Sequence, residues 1–158
     1  MKSVIFDLDG TLADIEARRK FSTKEDGKIN WGKFFDPENI KLDEPNIPVI
    51  EAYKAMEYAG HRMVIFSGRS DSMKQVTLDW LKKYDIEPDQ IIMRPSEKED
   101  VNDDRYTPDD ELKLKWLEKL FPGDKKNEIL CVFDDRNKVV SMWRQNGVPC
   151  FQVAPGDF

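Results

Sequence analysis

The sequence predicts an α/β fold, a doubly wound, Rossmann-like parallel sheet in a single domain over residues 1–158. Short and almost continuously apolar runs recur along the chain, as is typical of strands that are buried on both faces. Amphipathic helical patterns separate these runs, which favours parallel strands joined by helices. With 39% apolar and 11% aromatic residues, the chain can build one well-packed core.

Five apolar runs predict the strands. The first run ends at an acidic cluster that begins with Asp7, the second ends at Ser67, and the fourth ends at Asp134. Because each run gives way abruptly to polar residues, we expect these strand ends to form a polar edge of the sheet. The predicted strands are residues 4–6, 63–66, 90–93, 129–133 and 148–153, of which the third is the weakest.

Four helical patterns lie between the strands. Pro48 suits the first turn of a helix, and Gly60 and Gly147 mark helix ends. The predicted helices are residues 48–59, 73–84, 109–121 (before the stop at Pro122-Gly123) and 137–146. Three tryptophans fall on the apolar stripes of these helices and are expected in the core, namely Trp80, Trp116 and Trp143.

Two polar segments, residues 14–46 and 94–108, do not fit this alternation. The first contains an aromatic cluster of Trp31, Phe34 and Phe35. Segments inserted at the carboxyl ends of strands often act as lids or contact the substrate, although a solvated connection is the alternative. The fold is therefore predicted to carry only small inserted loops or a minimal cap.

Composition excludes several classes of protein. The 25 Lys and Arg residues against 31 Asp and Glu give a net charge of −6. No apolar run approaches the roughly 20 residues of a membrane helix, and Asp7 and Asp9 interrupt the region where a signal peptide would be apolar. We therefore expect a cytoplasmic protein without a membrane partner. Cys131 and Cys150 are expected as buried, reduced thiols, and the single histidine, His61, as a surface or turn residue.

Carboxylates at two predicted strand ends indicate a metal site. Asp7 and Asp9 lie two residues apart after the first strand, and Asp134 and Asp135 follow another strand. Ligands of open α/β sheets bind at this edge, and an all-oxygen cluster suits Mg²⁺. Acidic residues after a strand are also common as turn or helix-cap residues, so one pair alone would be weak evidence.

Groups suited to phosphate occur at the same edge. Ser67, Gly68 and Arg69 are predicted to form a strand-to-helix turn, which offers a hydroxyl and free backbone N–H groups to an anion. Lys113 is predicted in the first turn or so of its helix, where a cation is unfavourable unless an anion is near. An ion pair with one of the neighbouring aspartates, Asp109 or Asp110, is the structural alternative for Lys113.

These residues, in this order, resemble the four motifs of the haloacid dehalogenase-like phosphohydrolases. Residues 7–11, DLDGT, match the first motif, Ser67 the second, Lys113 the third, and Asp134 with Asp135 the fourth. The resemblance implies phosphatase activity with Mg²⁺ as the cofactor. It also implies that Thr11, Ser67 and Lys113 hold the phosphoryl oxygens.

Nearly the whole chain resembles the phosphatase domains of T-even phage polynucleotide kinase-phosphatases. The similar segments are VIFDLDGTLA, FSGR, DDELK, FDDRNKVVSMWRQNGV and QVAPGDF, whereas residues 19–45 and 94–108 match poorly. Arg18 and Arg69 fall where those domains carry arginines beside the active site. No phosphate loop of a kinase is present, so the resemblance implies a free-standing phosphatase, with a phage-encoded one acting in the host cytoplasm.

The resemblance also assigns roles to the carboxylates. Asp7 would be the nucleophile that forms an aspartyl-phosphate, and Asp9 the general acid and then the general base, which requires its proton to survive near neutral pH. Mg²⁺ would be held by Asp7, the backbone carbonyl of Asp9, and Asp135. Asp134 would ligate through water or orient Lys113, with the choice between Asp134 and Asp135 as direct ligand left open.

The implied substrate is a 3′-phosphate on a DNA or RNA end, as in nucleic acid repair. The acidic balance argues for a local contact rather than a broad nucleic-acid footprint. Trp31, Phe34 or Phe35 could stack a base, or simply pack. The candidates for contact with terminal phosphates are Arg18, Arg19, Lys20, Arg69 and Arg94.

Three other functions are compatible with the same sequence. They are a nucleotidase for free mononucleotides or another small-ester phosphatase, a noncatalytic nucleic-acid-binding module, and a phosphotransferase that passes the phosphoryl group to an acceptor other than water.

Overall fold

A five-stranded parallel sheet forms the centre of the protein. The structure is a computed structural model that describes residues 1–158. The strands are β1 (Ser3–Phe6), β2 (Ala13–Asp14), β3 (Glu44–Pro45), β4 (Arg62–Ser70), β5 (Gln90–Arg94), β6 (Ile129–Asp134) and β7 (Cys150–Gln152). The sheet has the order β5-β4-β1-β6-β7, while β2 and β3 form a separate antiparallel ribbon. From β1 the chain adds β4 and β5 on one side and then β6 and β7 on the other, so the strand order switches between β1 and β6. Open α/β sheets bind ligands at such a switch point.

Helices cover both faces of the sheet. They are α1 (Glu16–Ser22), α2 (Trp31–Phe34), α3 (Ile47–Tyr58), α4 (Lys74–Lys83), α5 (Asp109–Leu120), α6 (Lys125–Glu128) and α7 (Asn137–Gln145). Short 3₁₀ helices occupy Pro37–Leu42, Asp71–Met73 and Asp104–Tyr106. None of the helices is long and apolar enough to cross a bilayer.

Alternation along β1 divides the core into two parts, because successive side chains of a strand point to opposite faces. Val4 and Phe6 belong to the part that α3 and α4 cover, whereas Ile5 belongs to the part that α5 and α7 cover. The doubly wound parallel sheet predicted from the apolar runs is confirmed. Cys131 and Cys150 are buried and free, also as predicted.

The long helices lie close to their predicted positions. α5 and α7 begin where predicted and end one residue earlier, whereas α3 and α4 differ from the prediction by one residue at each end. Pro48 occupies the first turn of α3, and Gly60 follows the helix with a φ of +90°. Trp80 and Trp143 are buried, and Trp116 packs against the core.

The second predicted strand end is wrong. Ser67, Gly68 and Arg69 are part of β4, which continues to Ser70 instead of turning into a helix. The register against β5 shifts between Ser67 and Ser70, so the strand continues through this polar stretch with an irregular pairing. The last strand is shorter than predicted, since Pro149 has no N–H for a ladder and β7 begins after it.

The two insertions behave differently. Residues 14–46 are a packed subdomain rather than a solvated connection, because Ile15, Phe34 and Ile40 are buried in the core. This segment contains α1, α2 and most of the β2–β3 ribbon. Its two helices are too short for the sequence to show a sustained helical period. Residues 94–108 form a loop with one 3₁₀ turn, close to the prediction.

Gly156 lies where no side chain fits, and we expect its replacement by Ala to destabilise the protein. A Cβ at this position would lie 1.8 Å from the backbone oxygen of Asp135. The backbone would have to shift beside the acidic cluster, at a cost of about 1 to 3 kcal/mol. Urea unfolding of Gly156→Ala measures this loss. Gly123→Ala, whose Cβ would make only an ordinary contact at 3.5 Å, is the control and should unfold close to wild type.

Candidate active site

The polar strand ends open into one large cavity of about 1290 Å³. Asp7 follows β1, Asp134 ends β6, and Lys113 reaches the same place from the second turn of α5. The cavity is lined by residues that include Asp7, Asp9, Gly68, Arg69, Lys113, Asp134 and Asp135. Three of the predicted site residues, Thr11, Arg18 and Ser67, are buried and do not line it.

A buried ion triad forms the floor of the cavity. The Lys113 Nζ donates to Asp7 Oδ1 at 2.8 Å and to Asp134 Oδ2 at 2.9 Å. The Thr11 hydroxyl donates to the other oxygen, Asp7 Oδ2, at 3.0 Å. Thr11 and Lys113 therefore hold the Asp7 carboxylate in one orientation.

The alternative pairing for Lys113 is wrong. Asp109 binds Arg94 at 2.6 Å and Arg136 at 3.1 Å instead, and Asp110 lies 3.7 Å from Lys138. The lysine extends inward from its helix because two carboxylates at the strand ends compensate its buried charge.

Burial and crowding of charge set the protonation of this triad. Burial, reinforced by the neighbouring Asp134, raises the pKa of Asp7 well above its usual range, although Lys113 opposes this change. Burial also raises the pKa of Asp135. Burial alone would lower the pKa of Lys113, but Asp134 and Asp7 raise it, so the ammonium remains charged.

Three of the carboxylates are close enough to hold one cation. One ligand oxygen from each of Asp7, Asp134 and Asp135 lies within 4.8 Å of the others. Both carboxylate oxygens of Asp134 already accept hydrogen bonds from the protein. Oδ2 accepts from Trp143 Nε1 at 3.3 Å as well as from Lys113, and Oδ1 accepts from the Asp135 N–H at 2.9 Å. Gly10 leaves room for this cluster, because a Cβ there would lie 2.1 Å from Asp135 Oδ2. This donor set fits Mg²⁺, which prefers oxygen ligands.

A second buried network holds Asp9. Its Oδ1 accepts from Arg69 Nη2 at 2.5 Å and from Arg18 Nη2 at 2.9 Å. Both guanidinium groups also bind Asp43, through Arg18 Nε at 2.9 Å and Arg69 Nη2 at 2.8 Å. Two arginines and two aspartates thus form a compact charge-balanced cluster beside the triad.

The expectation that Asp9 keeps its proton near neutral pH is not met in this arrangement. Burial alone would raise the pKa of Asp9, but the guanidinium groups of Arg69 and Arg18 lower it below its ordinary value. Asp9 is therefore ionised while the two arginines bind it. A role as general acid requires its carboxylate to leave them first.

Asp43 is the main site residue that sequence reasoning missed. It lies just before β3, in the poorly matching insertion, and its side chain is fully buried. Burial raises its pKa to about 6 against the opposing effect of Arg18 and Arg69. No periodicity or motif marks this position, because its partners are 25 and 26 residues away.

Removing Asp43 should destabilise the protein strongly. Asp43→Ala leaves Arg18 and Arg69 sharing only Asp9, and breaking a buried ion pair in this way costs about 3 to 5 kcal/mol. Chemical denaturation measures the loss. The control is Asp103→Ala, which breaks the exposed pair with Arg105 and should leave the denaturation midpoint unchanged.

Ser67 and Arg94 are two further residues that were predicted to contact phosphate, and their surroundings differ. Ser67 Oγ accepts from the Arg69 N–H at 3.2 Å within the strand. Arg94 is not available for substrate, because it donates to Gly68 O at 3.0 Å and binds Asp109. Its remaining donors bind backbone carbonyls of the 94–108 loop, at Asp104, Arg105 and Thr107. Arg94 thus fastens this loop to the strand ends.

A doubly wound sheet with an aspartate after its central strand and a lysine between carboxylates defines a haloacid dehalogenase-type phosphatase. Solved structures of low sequence identity share the fold. A predicted phosphatase from Clostridium acetobutylicum superposes with a TM-score of 0.69 at 16% identity, over 96% of this chain and 83% of that one.

The chain belongs to the family described as "Polynucleotide kinase PNKP phosphatase domain", whose profile matches residues 1–158. It is 33% identical over 151 residues to a protein of Autographa californica nuclear polyhedrosis virus named "Putative bifunctional polynucleotide kinase/RNA ligase". A chain in the structure of the Pnkp1/Rnl/Hen1 RNA repair complex superposes with a TM-score of 0.71 at 34% identity, over 99% of this chain. This chain spans 18% of the viral protein and 43% of the repair-complex chain.

Proposed function

We propose that this phosphatase removes 3′-phosphates from polynucleotide ends, with Mg²⁺ as its cofactor and an aspartyl-phosphate on Asp7 as its intermediate. The observation that carries the proposal is the buried Asp7 carboxylate, which Lys113 and Thr11 fix at the floor of the cavity. A carboxylate held in one orientation, with a cation against one oxygen, is suited to attack phosphorus.

The first half of the reaction transfers the phosphoryl group to the enzyme. An oxygen of Asp7 attacks phosphorus, the bond between phosphorus and the 3′ oxygen breaks, and the leaving oxygen takes a proton from Asp9. Lys113 stabilises the charge that spreads over the phosphoryl oxygens. In the second half, Asp9 accepts a proton from water, which hydrolyses the acyl-phosphate to inorganic phosphate and restores Asp7.

This cycle requires a change at Asp9. The carboxylate must leave Arg18 and Arg69 and acquire a proton before it acts as an acid. An incoming phosphate dianion is an anion that can replace it on a guanidinium group, and Arg69 already lines the cavity. In this proposal Arg69 binds substrate directly, while Arg18 holds Asp9 in the resting enzyme.

Asp7, Asp135 and the backbone carbonyl of Asp9 are the groups we propose to hold Mg²⁺, with Asp134 orienting Lys113. When bound, Mg²⁺ offsets the repulsion between the carboxylates and the phosphate. We expect EDTA to abolish phosphate release and added Mg²⁺ to restore it. The control is circular dichroism of the chelated protein. Full activity in EDTA would contradict the metal requirement, provided that the protein stays folded.

Two relatives support polynucleotide ends as the substrate, since one is named as a polynucleotide kinase/RNA ligase and the other belongs to an RNA repair complex. The cavity is also larger than a phosphate requires. We therefore propose a role in nucleic acid repair, in the cytoplasm of the host cell if the protein is phage-encoded.

The substrate is tested with matched oligonucleotides that carry either a 3′- or a 5′-phosphate, alongside 3′- and 5′-mononucleotides. We expect phosphate release chiefly from the 3′-phosphorylated oligonucleotide. Preference for mononucleotides would favour a nucleotidase instead. Transfer of phosphate to added nucleoside or alcohol would indicate a phosphotransferase, and binding without turnover would indicate a noncatalytic module.

A further inference from the structure

The wall of the cavity carries aromatic side chains that the phosphatase chemistry does not use. Trp31 and Phe35 line the cavity, as do Asp7 and Lys113. Trp31 is 60% exposed and Phe35 is 40% exposed, although both are large and apolar. Large apolar groups left in solvent beside a site typically mark a surface that a ligand covers.

The arrangement of these rings is fixed by the structure around them. Phe34, between them in sequence, is buried and packs edge-on against both, with ring centroids 5.6 Å from Trp31 and 5.1 Å from Phe35. Asn30 caps α2 through its side chain, which accepts from the Lys33 N–H. The rings of Trp31 and Phe35 lie 5.7 Å apart and nearly parallel, with 19° between their planes.

The same segment is tied directly to the active site. The carbonyl of Phe34 accepts from Arg18 Nη1 at 3.2 Å, and the Arg18 guanidinium lies over the Phe34 ring at 4.5 Å. Arg18 in turn binds Asp9. The exposed rings therefore keep a fixed position relative to the carboxylates.

We propose that Trp31, supported by Phe35, stacks a nucleobase at the end of the substrate strand. This inference rests on the proposed function, because it assumes a polynucleotide end in the cavity. A flat aromatic surface recognises the face of any base, and Arg19, which also lines the cavity, supplies a positive charge for the backbone. Such a surface selects an unpaired strand end without reading its sequence.

The test compares Trp31→Ala with wild type on three phosphate esters. These are a 3′-phosphorylated DNA oligonucleotide, the same oligonucleotide with abasic residues at its last two positions, and glycerol phosphate. We expect Trp31→Ala to raise KM for the first substrate on the order of tenfold, with little change in kcat. The abasic oligonucleotide and glycerol phosphate, which have no base next to the phosphate, should be unaffected. Trp31→Phe, which keeps an aromatic ring, should have a KM for the first substrate close to that of wild type.

Two variants serve as controls. Tyr58→Ala removes a ring that is 94% exposed and does not line the cavity, and it should change nothing. Tyr106→Ala removes an exposed ring from the loop on the cavity wall. A base-dependent loss in Tyr106→Ala but not in Trp31→Ala would overturn the assignment.

Other outcomes separate this inference from the proposed function. Equal effects of Trp31→Ala on all three substrates, or no effect on any, would contradict base stacking while leaving the 3′-phosphatase intact. If wild type hydrolyses glycerol phosphate but not the 3′-phosphorylated oligonucleotide, the proposed function fails, and the stacking role fails with it.

Discussion

Asp7→Asn is expected to reduce phosphate release by roughly 10⁴-fold or more, because a neutral amide cannot form the phosphoenzyme. The measurement is single-turnover phosphate release from a 3′-phosphorylated oligonucleotide, with acid quenching to detect phosphate on the protein. Wild type should show transient protein-bound phosphate, and the variant should show none.

The control for Asp7→Asn is its fold. The substitution preserves shape and removes one of three crowded carboxylates, so the protein should unfold cooperatively in denaturant. A folded Asp7→Asn protein that retains substantial turnover would rule out Asp7 as the nucleophile. If the Asp7→Asn protein is unfolded, phosphate release is measured with Asp7→Glu instead, which keeps the negative charge but displaces the carboxylate.

Lys113→Ala should lower kcat by on the order of 10²-fold or more, because the cation that stabilises the transition state is lost. It should also destabilise the metal-free protein by about 3 to 5 kcal/mol, since Asp7 and Asp134 lose the shared partner at 2.8 and 2.9 Å. Steady-state kinetics and urea unfolding in EDTA measure the two effects separately.

Lys113→Met keeps most of the side-chain volume and is the matched variant. If it lowers stability without lowering the rate at saturating Mg²⁺, Lys113 is only a structural ion-pair partner. If kcat falls in both Lys113→Ala and Lys113→Met, and both proteins are folded, the charge of Lys113 itself contributes to turnover. Lys138→Ala, which removes a half-exposed lysine 3.7 Å from Asp110, is the control and should affect neither measurement.

The parts of the fold that the sequence predicted are those that depend on local patterns. Continuous apolar runs located the five strands of the main sheet, and apolar stripes located the four long helices. The cluster of Asp7, Lys113, Asp134 and Asp135 was also predictable, because the carboxyl ends of parallel strands converge. Their order along the chain then matched a known family.

The parts that sequence reasoning missed depend on contacts between distant residues. Arg18 and Arg69 were placed near the site, but their binding to Asp9 depends on the fold of the 14–46 segment. Asp43 has no local signature at all. The continuation of β4 through Ser67 was missed because a polar, glycine-containing stretch usually signals a turn, whereas here the strand persists with an irregular register.

The packing of residues 14–46 limits how this enzyme can be redesigned. One segment supplies both the exposed Trp31, which lines the cavity, and the buried Asp43, which binds Arg18 and Arg69. Grafting a homologous segment to change substrate preference would exchange both together, so a transplant that lacked an acid at position 43 would leave two guanidinium groups undercompensated. Substrate range in this scaffold is therefore more accessible through single substitutions at exposed rings than through exchange of whole loops.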